Sequence, residues 1–286
     1  MSFITLKKKL QERIIPEEIR AAGVIPVVAY SEDDYAFLMD DKSIGFGFIC
    51  QPLNASSEKI QERAIGMLNQ EFPANSTMQF CLFRSPDITQ ELYKMIELRD
   101  GFHHDLLSTV IRERADFLKH HTEEKMIGKN DKGHYDSGII QDTKLFVTVK
   151  IPIQDNKPNF TELTTLQDLR SKVESSLQTV GLRPIPLTAV SYIRIMGTML
   201  NWGGDASWKG AKTSWDTNKP ICDQIFDYGT DISLTKNSLK LGEQHVKVLS
   251  AKKLPDIAYF GDAITYIGDI SGGSSNVKEN YMIVTN

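Results

Sequence analysis

Cysteine is scarce in this chain: Cys50, Cys81 and Cys222 are the only three among 286 residues, and no CxxC spacing occurs. An odd count without paired spacing supplies neither a disulfide framework nor a zinc-ligand set, so a reducing compartment is expected. Cys50 and Cys81 sit in strand-like runs and read as small buried hydrophobes, with no histidine in a local motif to activate either as a nucleophile. Long apolar runs are missing as well. The longest, Ala21 to Tyr30, is interrupted by Pro26 and falls well short of the roughly 20 apolar residues that span a bilayer. No apolar stretch follows Lys7-Lys8-Lys9, so neither a signal peptide nor a transmembrane helix is expected. Excess positive charge is absent too: 33 Lys and Arg stand against 37 Asp and Glu, a net charge of -4. Such a balance gives no electrostatic footprint for phosphates, and direct nucleic-acid binding is not expected.

What is present is ordinary for a folded protein, with 41% hydrophobic and 24% charged residues, enough to bury a core. The most organised stretch runs from Tyr35 to Phe83. Tyr35, Phe37 and Met39 alternate with Ala36, Leu38 and Asp40, the period of a strand. Asp40-Asp41-Lys42-Ser43 is turn-forming, and Ile44, Phe46, Phe48 and Cys50 line one face of a return strand. Gly45 and Gly47 fall together on its other face, where absent side chains permit close backbone approach or leave a bare sheet surface. From Glu58 the period changes to that of a helix through Ile60, Ala64, Met67 and Leu68, with Ser57 as N-cap and Phe72-Pro73 as stop. Met78, Phe80 and Leu82 resume alternation, closing a ββαβ unit.

Three blocks in this stretch carry a family resemblance: DKSIGFGFICQPL (41–53), LNQEFP (68–73) and QFCLFRSPDI (79–88). They resemble the N-terminal region of the TraC family, the conjugative type IV secretion ATPases of F-type plasmid systems. The resemblance implies a cytoplasmic protein, peripheral at the inner membrane through its partners, that assists pilus assembly and plasmid transfer. It implies inner-membrane and cytoplasmic secretion components as partners, a homo-oligomeric parent, and ATP and Mg used by a nucleotide-binding domain beyond these residues. No Walker motif has matching positions here, so no cofactor and no catalytic residue are carried over.

Further along, Asp87 with Gln90 has the form of a capping box opening a helix, Gly101 interrupts it, and a second helix is expected over about 104–121. Residues 126–142 read as a polar loop. Beyond it, Leu145, Val147, Val149 and Ile151 predict a strand, and Thr164 with Gln167 opens a helix that Gly181 caps. Leu182 to Leu187 suits an edge strand, Ala189 to Asn201 a buried helix, and residues 232–249 a hairpin. Residues 269–276 form a Gly/Ser-rich loop, and the strand-like run from Tyr281 stops at Asn286, which reads as truncation before an ATPase domain.

Candidate chemistry is thin. Gly204-Asp-Ala-Ser-Trp-Lys-Gly210-Ala211-Lys212-Thr213 fails as a phosphate loop, because five residues separate the glycines and Ala211 separates Gly210 from Lys212. His103-His104 and His120-His121 would stand roughly 27 Å apart on one helix, too far to share a metal. Glu32, Asp33, Asp34, Asp40 and Asp41 flank turns, where solvation keeps carboxylates ordinary. The tryptophans remain: Trp202, Trp208 and Trp215 are the only three in the chain and share one irregular segment. They either plug a local core or anchor a partner. Together with the Gly45/Gly47 face they are the candidate partner-contact residues.

The reading is an α+β protein: an arm (1–29), a ββαβ portion (30–125) of ferredoxin-like split βαβ type, a loop (126–142) and a second strand-and-helix portion (143–286), with helices mainly on one face. A non-catalytic assembly domain is the leading function. The alternatives are a free-standing small-molecule enzyme and a self-assembling structural protein without an ATPase domain.

Overall fold

The computed structural model describes residues 21–53, 57–100, 105–130, 133–210, 212–234, 238–246, 248 and 281–285. Expectations for the arm before residue 21, for Gly101, His103 and His104, and for the Gly/Ser-rich loop lie outside them.

The hairpin forms where alternation places it. β1 (Val27–Ser31), β2 (Ala36–Met39) and β3 (Ser43–Cys50) run antiparallel in succession. Helix α1 (Glu58–Leu68) follows, its Ser57 side chain accepting from the Ile60 amide as the N-cap. β4 (Thr77–Ser85) returns to the sheet. Two helices come next, α2 (Thr89–Asp100) and α3 (Asp105–His120), and pack through Ile88, Leu92 and Ala115.

The polar stretch expected as a loop at 126–142 contains a two-stranded ribbon of β5 (Met126–Asn130) and β6 (Gly133–Gly138). No hydrophobic alternation in the sequence marks it. β7 (Asp142–Pro152) then enters the main sheet between β3 and β4, antiparallel to both. β3 and β4 are therefore parallel to each other and separated by a strand from the later part of the chain.

Helix α4 (Phe160–Val180) begins before the expected Thr164, because Asn159 and Glu162 form a capping box: the Asn159 side chain accepts from the Glu162 amide at 2.8 Å, and Glu162 accepts from the Asn159 amide at 2.8 Å. Gly181 caps its end with φ 101°, a left-handed conformation that favours glycine. β8 (Ile185–Pro186) pairs with β3 at Phe48 and Ile49, beyond the point where β2 leaves off. Helix α5 (Ala189–Leu200) completes the packed layers. Shorter strands follow, β9 (Ile232–Leu234), β10 (Leu239–Leu241) and β11 (Gln244–Val246), forming three strands where a hairpin was expected. β12 (Tyr281–Thr285) lies along the outer edge of β4.

Both faces of the main sheet are covered, which corrects the expectation of helices mainly on one face. On one side Ile44, Phe46 and Phe48 of β3 and Val147 and Val149 of β7 pack on Leu166, Val173 and Leu177 of α4, with Met67 of α1. On the other, Ile193 of α5 joins Leu187, Ile221 and Ile225 over Tyr30 and Phe37, and Ile195 and Met199 lie on Phe83 and Phe146. The second layer escapes strand periodicity because Gly45 and Gly47 contribute no apolar side chain to that face.

Candidate functional site

Gly45 and Gly47 are both buried. A Cβ on Gly45 would stand 2.5 Å from the Val149 carbonyl oxygen, and one on Gly47 would stand 2.9 Å from Leu187 Cδ2. The Leu187 amide donates to the Gly47 carbonyl at 2.8 Å. The two glycines thus admit neighbouring strand β7 and the β8 segment. Of the two readings open for this face, close approach is the one found: the chain covers both glycines with its own residues, so neither is exposed as the expected partner contact.

The tryptophans pack inward to different degrees. Trp208 is 7% exposed, its ring meeting Trp202 edge-on at 6.0 Å and its Nε1 donating to the Asn201 carbonyl at 2.7 Å. Trp202 Nε1 donates to the Met199 carbonyl at 3.0 Å. Trp215 is half-buried and meets the edge of Tyr30 at 5.7 Å. Buried Asn201 organises the segment: its Nδ2 donates to the Ile225 carbonyl at 2.7 Å, and its Oδ1 accepts from the Asp227 amide and the Thr230 hydroxyl. Of the two readings open for these residues, this geometry is that of a local core.

Sequence reasoning missed the most connected polar group. Arg194 of α5 is 5% exposed and faces Asp87, also 5% exposed. Arg194 Nε donates to Asp87 Oδ2 at 2.6 Å, and Nη2 donates to Oδ1 at 2.9 Å. Nη2 also donates to the Trp208 carbonyl at 2.9 Å, while Nη1 donates to the Gly210 carbonyl and the Thr213 hydroxyl, each at 3.2 Å. A guanidinium has five N–H donors, and all five are engaged within the chain. Burial alone would raise the Asp87 carboxyl, but the hydrogen bonds and charge of Arg194 outweigh it and hold the group below its ordinary value. Asp87 also accepts from the Thr89 amide at 3.1 Å, but among the described residues no bond joins it to Gln90, so the expected capping box is replaced by this local bond and the ion pair. One signal could have found the pair: Arg194 is the only charged residue in the apolar helix α5.

Beside the pair lies a small cleft open to solvent, lined by Ile49, Phe83, Phe146 and Ile195 together with Lys144 and Gln90. Lys144 Nζ pairs with Asp142 at 2.9 Å. Burial would lower the Lys144 ammonium, yet the Asp142 charge outweighs it and holds the group above its usual value. Among the described residues, the charged groups that line the cleft, Asp87, Arg194 and Lys144, are thus each paired.

The glycine-containing segment at 204–213 turns carbonyls of Trp208 and Gly210 toward a cation, the opposite polarity to a loop whose N–H groups ring a phosphate. His120 pairs with Glu124 at 3.1 Å on the surface. Among the described residues, no group of three or more His, Cys, Asp or Glu is placed to hold a metal. Asp41 pairs with Lys150 at 2.8 Å, tying the β2-β3 turn to β7, while Asp34 accepts from the Ser31 hydroxyl at 2.8 Å within the β1-β2 turn. No described helix is long and apolar enough to cross a membrane.

Comparison with curated proteins returns no match. The family model described as TraC protein, in contrast, matches residues 21–286, reaching from the turn before β1 through β12. With nearly the whole folded chain inside that match, the blocks at 41–53, 68–73 and 79–88 are parts of one continuous likeness, and the chain belongs to the TraC protein family of F-type conjugation systems.

Proposed function

We propose that this chain is a non-catalytic assembly region that docks a TraC protein onto the machinery of type IV secretion, in the service of pilus assembly and conjugative plasmid transfer. The family match over residues 21–286 carries the reading. The polar interior supports it: Arg194, the one buried guanidinium in α5, spends its donors on Asp87, Trp208, Gly210 and Thr213, leaving none to grip a phosphate. Partners in this reading are inner-membrane and cytoplasmic secretion components and other copies of the parent protein. The location is cytoplasmic, peripheral at the inner membrane. ATP and Mg belong to a separate nucleotide-binding domain.

The core of the region is, in the same proposal, a ferredoxin-like split βαβ arrangement. The elements β3-α1-β4-β7-α4-β8, with strand order β8-β3-β7-β4 and both helices on one face, support it. The α2-α3 pair and the β5-β6 ribbon are then an insertion between β4 and β7.

Two measurements test the function. The purified chain is expected to turn over no ATP above blank; turnover abolished by Lys212→Ala would show that the rejected glycine segment is a nucleotide site. An in-frame deletion of residues 21–286 from the parent gene is expected to abolish plasmid transfer, and transfer at the parental frequency would remove the docking role.

A further inference from the structure

The α2-α3 insertion carries more apolar surface than its own packing uses. Its core consists of Ile88, Leu92 and Ala115, with Met95, Ile96 and Leu118 partly covered. On α3, Ala115 and Leu118 face that core. A neighbouring stripe faces solvent: Leu107 is 49% exposed, Val110 51% and Phe117 53%, with Leu106 at 67% on its margin. The spacing of 107, 110, 114 and 117 keeps these positions on one side of the helix. Contiguous exposed apolar area of this kind marks an interaction surface.

The stripe contains one charge. Arg114 occupies its centre, is exposed, and has no hydrogen-bond or ion-pair partner among the described residues. The surface is also held in place from both ends. Asp87, just ahead of α2, is clamped by Arg194, and Glu123, just after α3, pairs with Lys209 at 2.9 Å. An apolar ridge tied at both ends to residues near α5, and carrying one guanidinium that has no partner among the described residues, selects its occupant by charge.

We propose that α3 is a docking ridge for an amphipathic helix of another protein, whose apolar face covers Leu107, Val110 and Phe117 and whose carboxylate meets Arg114. Helix-on-helix docking through anchors at these spacings is a recurrent recognition mode, and a carboxylate matches the planar donor fork of arginine. A second copy of α3 fits less well. Laid antiparallel about Arg112, it pairs Leu107 with Phe117 but opposes Val110 with Arg114 and sets two guanidinium groups on the same flank of the seam. An acidic partner removes that conflict.

This inference rests on the docking reading above and names the surface that carries it. The test places a photo-crosslinking benzophenone side chain at Phe117 in the full-length protein, in cells carrying the complete transfer machinery, with the same probe at Ile65 and Tyr228 as exposed positions elsewhere. The Phe117 adducts are expected to map by mass spectrometry to one helical segment of a different protein, with an Asp or Glu within reach of Arg114. Arg114→Glu is expected to cut the adduct yield about tenfold or more with an unchanged thermal melt, and a carboxylate→Lys change in the partner to restore it. Adducts to a second copy of this chain or to lipid, or a yield indifferent to Arg114→Glu, overturn the proposal. Adducts at Ile65 or Tyr228 alone overturn this surface while leaving docking intact; adducts at none of the three overturn docking as well.

Discussion

Arg194 and Asp87 show how much a single buried pair can organise. Their bond joins residues 107 positions apart, fixing the start of α2 to α5 and to the tryptophan segment. Removing one member of such a pair leaves a charge without compensation, which costs about 3–5 kcal/mol. Asp87→Asn is expected to lose that much at pH 7 in urea unfolding, and an unchanged midpoint would show that the pair contributes nothing. Arg194→Met added to it recovers part of the loss only, because the carbonyls of Trp208 and Gly210 also lose their donor. The pH dependence has a definite sign. A carboxyl held below its usual value in the folded state stabilises above the unfolded value, near 3.9, and that stability is lost as pH falls through the lowered folded value. The native chain should therefore lose stability below about pH 4, with a shallower loss in Asp87→Asn. A similarly depressed carboxylate at Asp41, where hydrogen bonds from Lys150 and Ser43 outweigh burial, adds to the same acid slope but is far more exposed and screened. Cys50 and Cys81 lie outside this regime, since burial pushes their thiols up to about 12 and about 11.

Local elements were legible where one short-range pattern decides them. The β2-β3 hairpin follows from alternation, α1 from its stripe and Ser57, and the end of α4 from Gly181. Legibility stopped where a strand owes its neighbours to distant sequence. Gly45 and Gly47 carry two meanings locally, a bare face or a close approach, and the approaching groups come from β7 and Leu187, far along the chain. The same limit hid Arg194 and turned the expected loop at 126–142 into the β5-β6 ribbon, whose pairing has no hydrophobic signature. The two glycine environments in neighbouring elements make a paired test. Gly45→Ala forces a Cβ against the Val149 carbonyl at 2.5 Å and should destabilise by about 1–3 kcal/mol. Gly66→Ala, exposed within α1 with nothing within 4 Å of the added Cβ, should stabilise by up to about 1 kcal/mol. Calorimetry of the two variants reads both signs, and a Gly45→Ala protein as stable as the parent would mean that β3 and β7 are less tightly apposed than described.

At the scale of the molecule, the informative feature is that β7 pairs along its length with β3 on one side and β4 on the other. A division of the chain near 126–142, natural from composition, separates that central strand from both its neighbours. It also parts α4 from the sheet face that buries Leu166, Val173 and Leu177. Residues 21–125 alone would hold β3 and β4 with a vacant strand position between them, exposing unpaired backbone groups and one side of an apolar core. Residues 143–286 alone would hold β7 and α4 without the β3 and β4 surfaces they cover. Neither half is therefore expected to be a folding unit, although each contains strands and a helix in a plausible order. Expressed separately, both should show poorly dispersed amide spectra and no cooperative thermal transition. Mixed or co-expressed, they should recover the dispersed spectrum of the intact chain, because the β7 ladder and the α4 core can form between two polypeptides. A half that folds cooperatively by itself would show that the sheet divides where its strand order says it cannot.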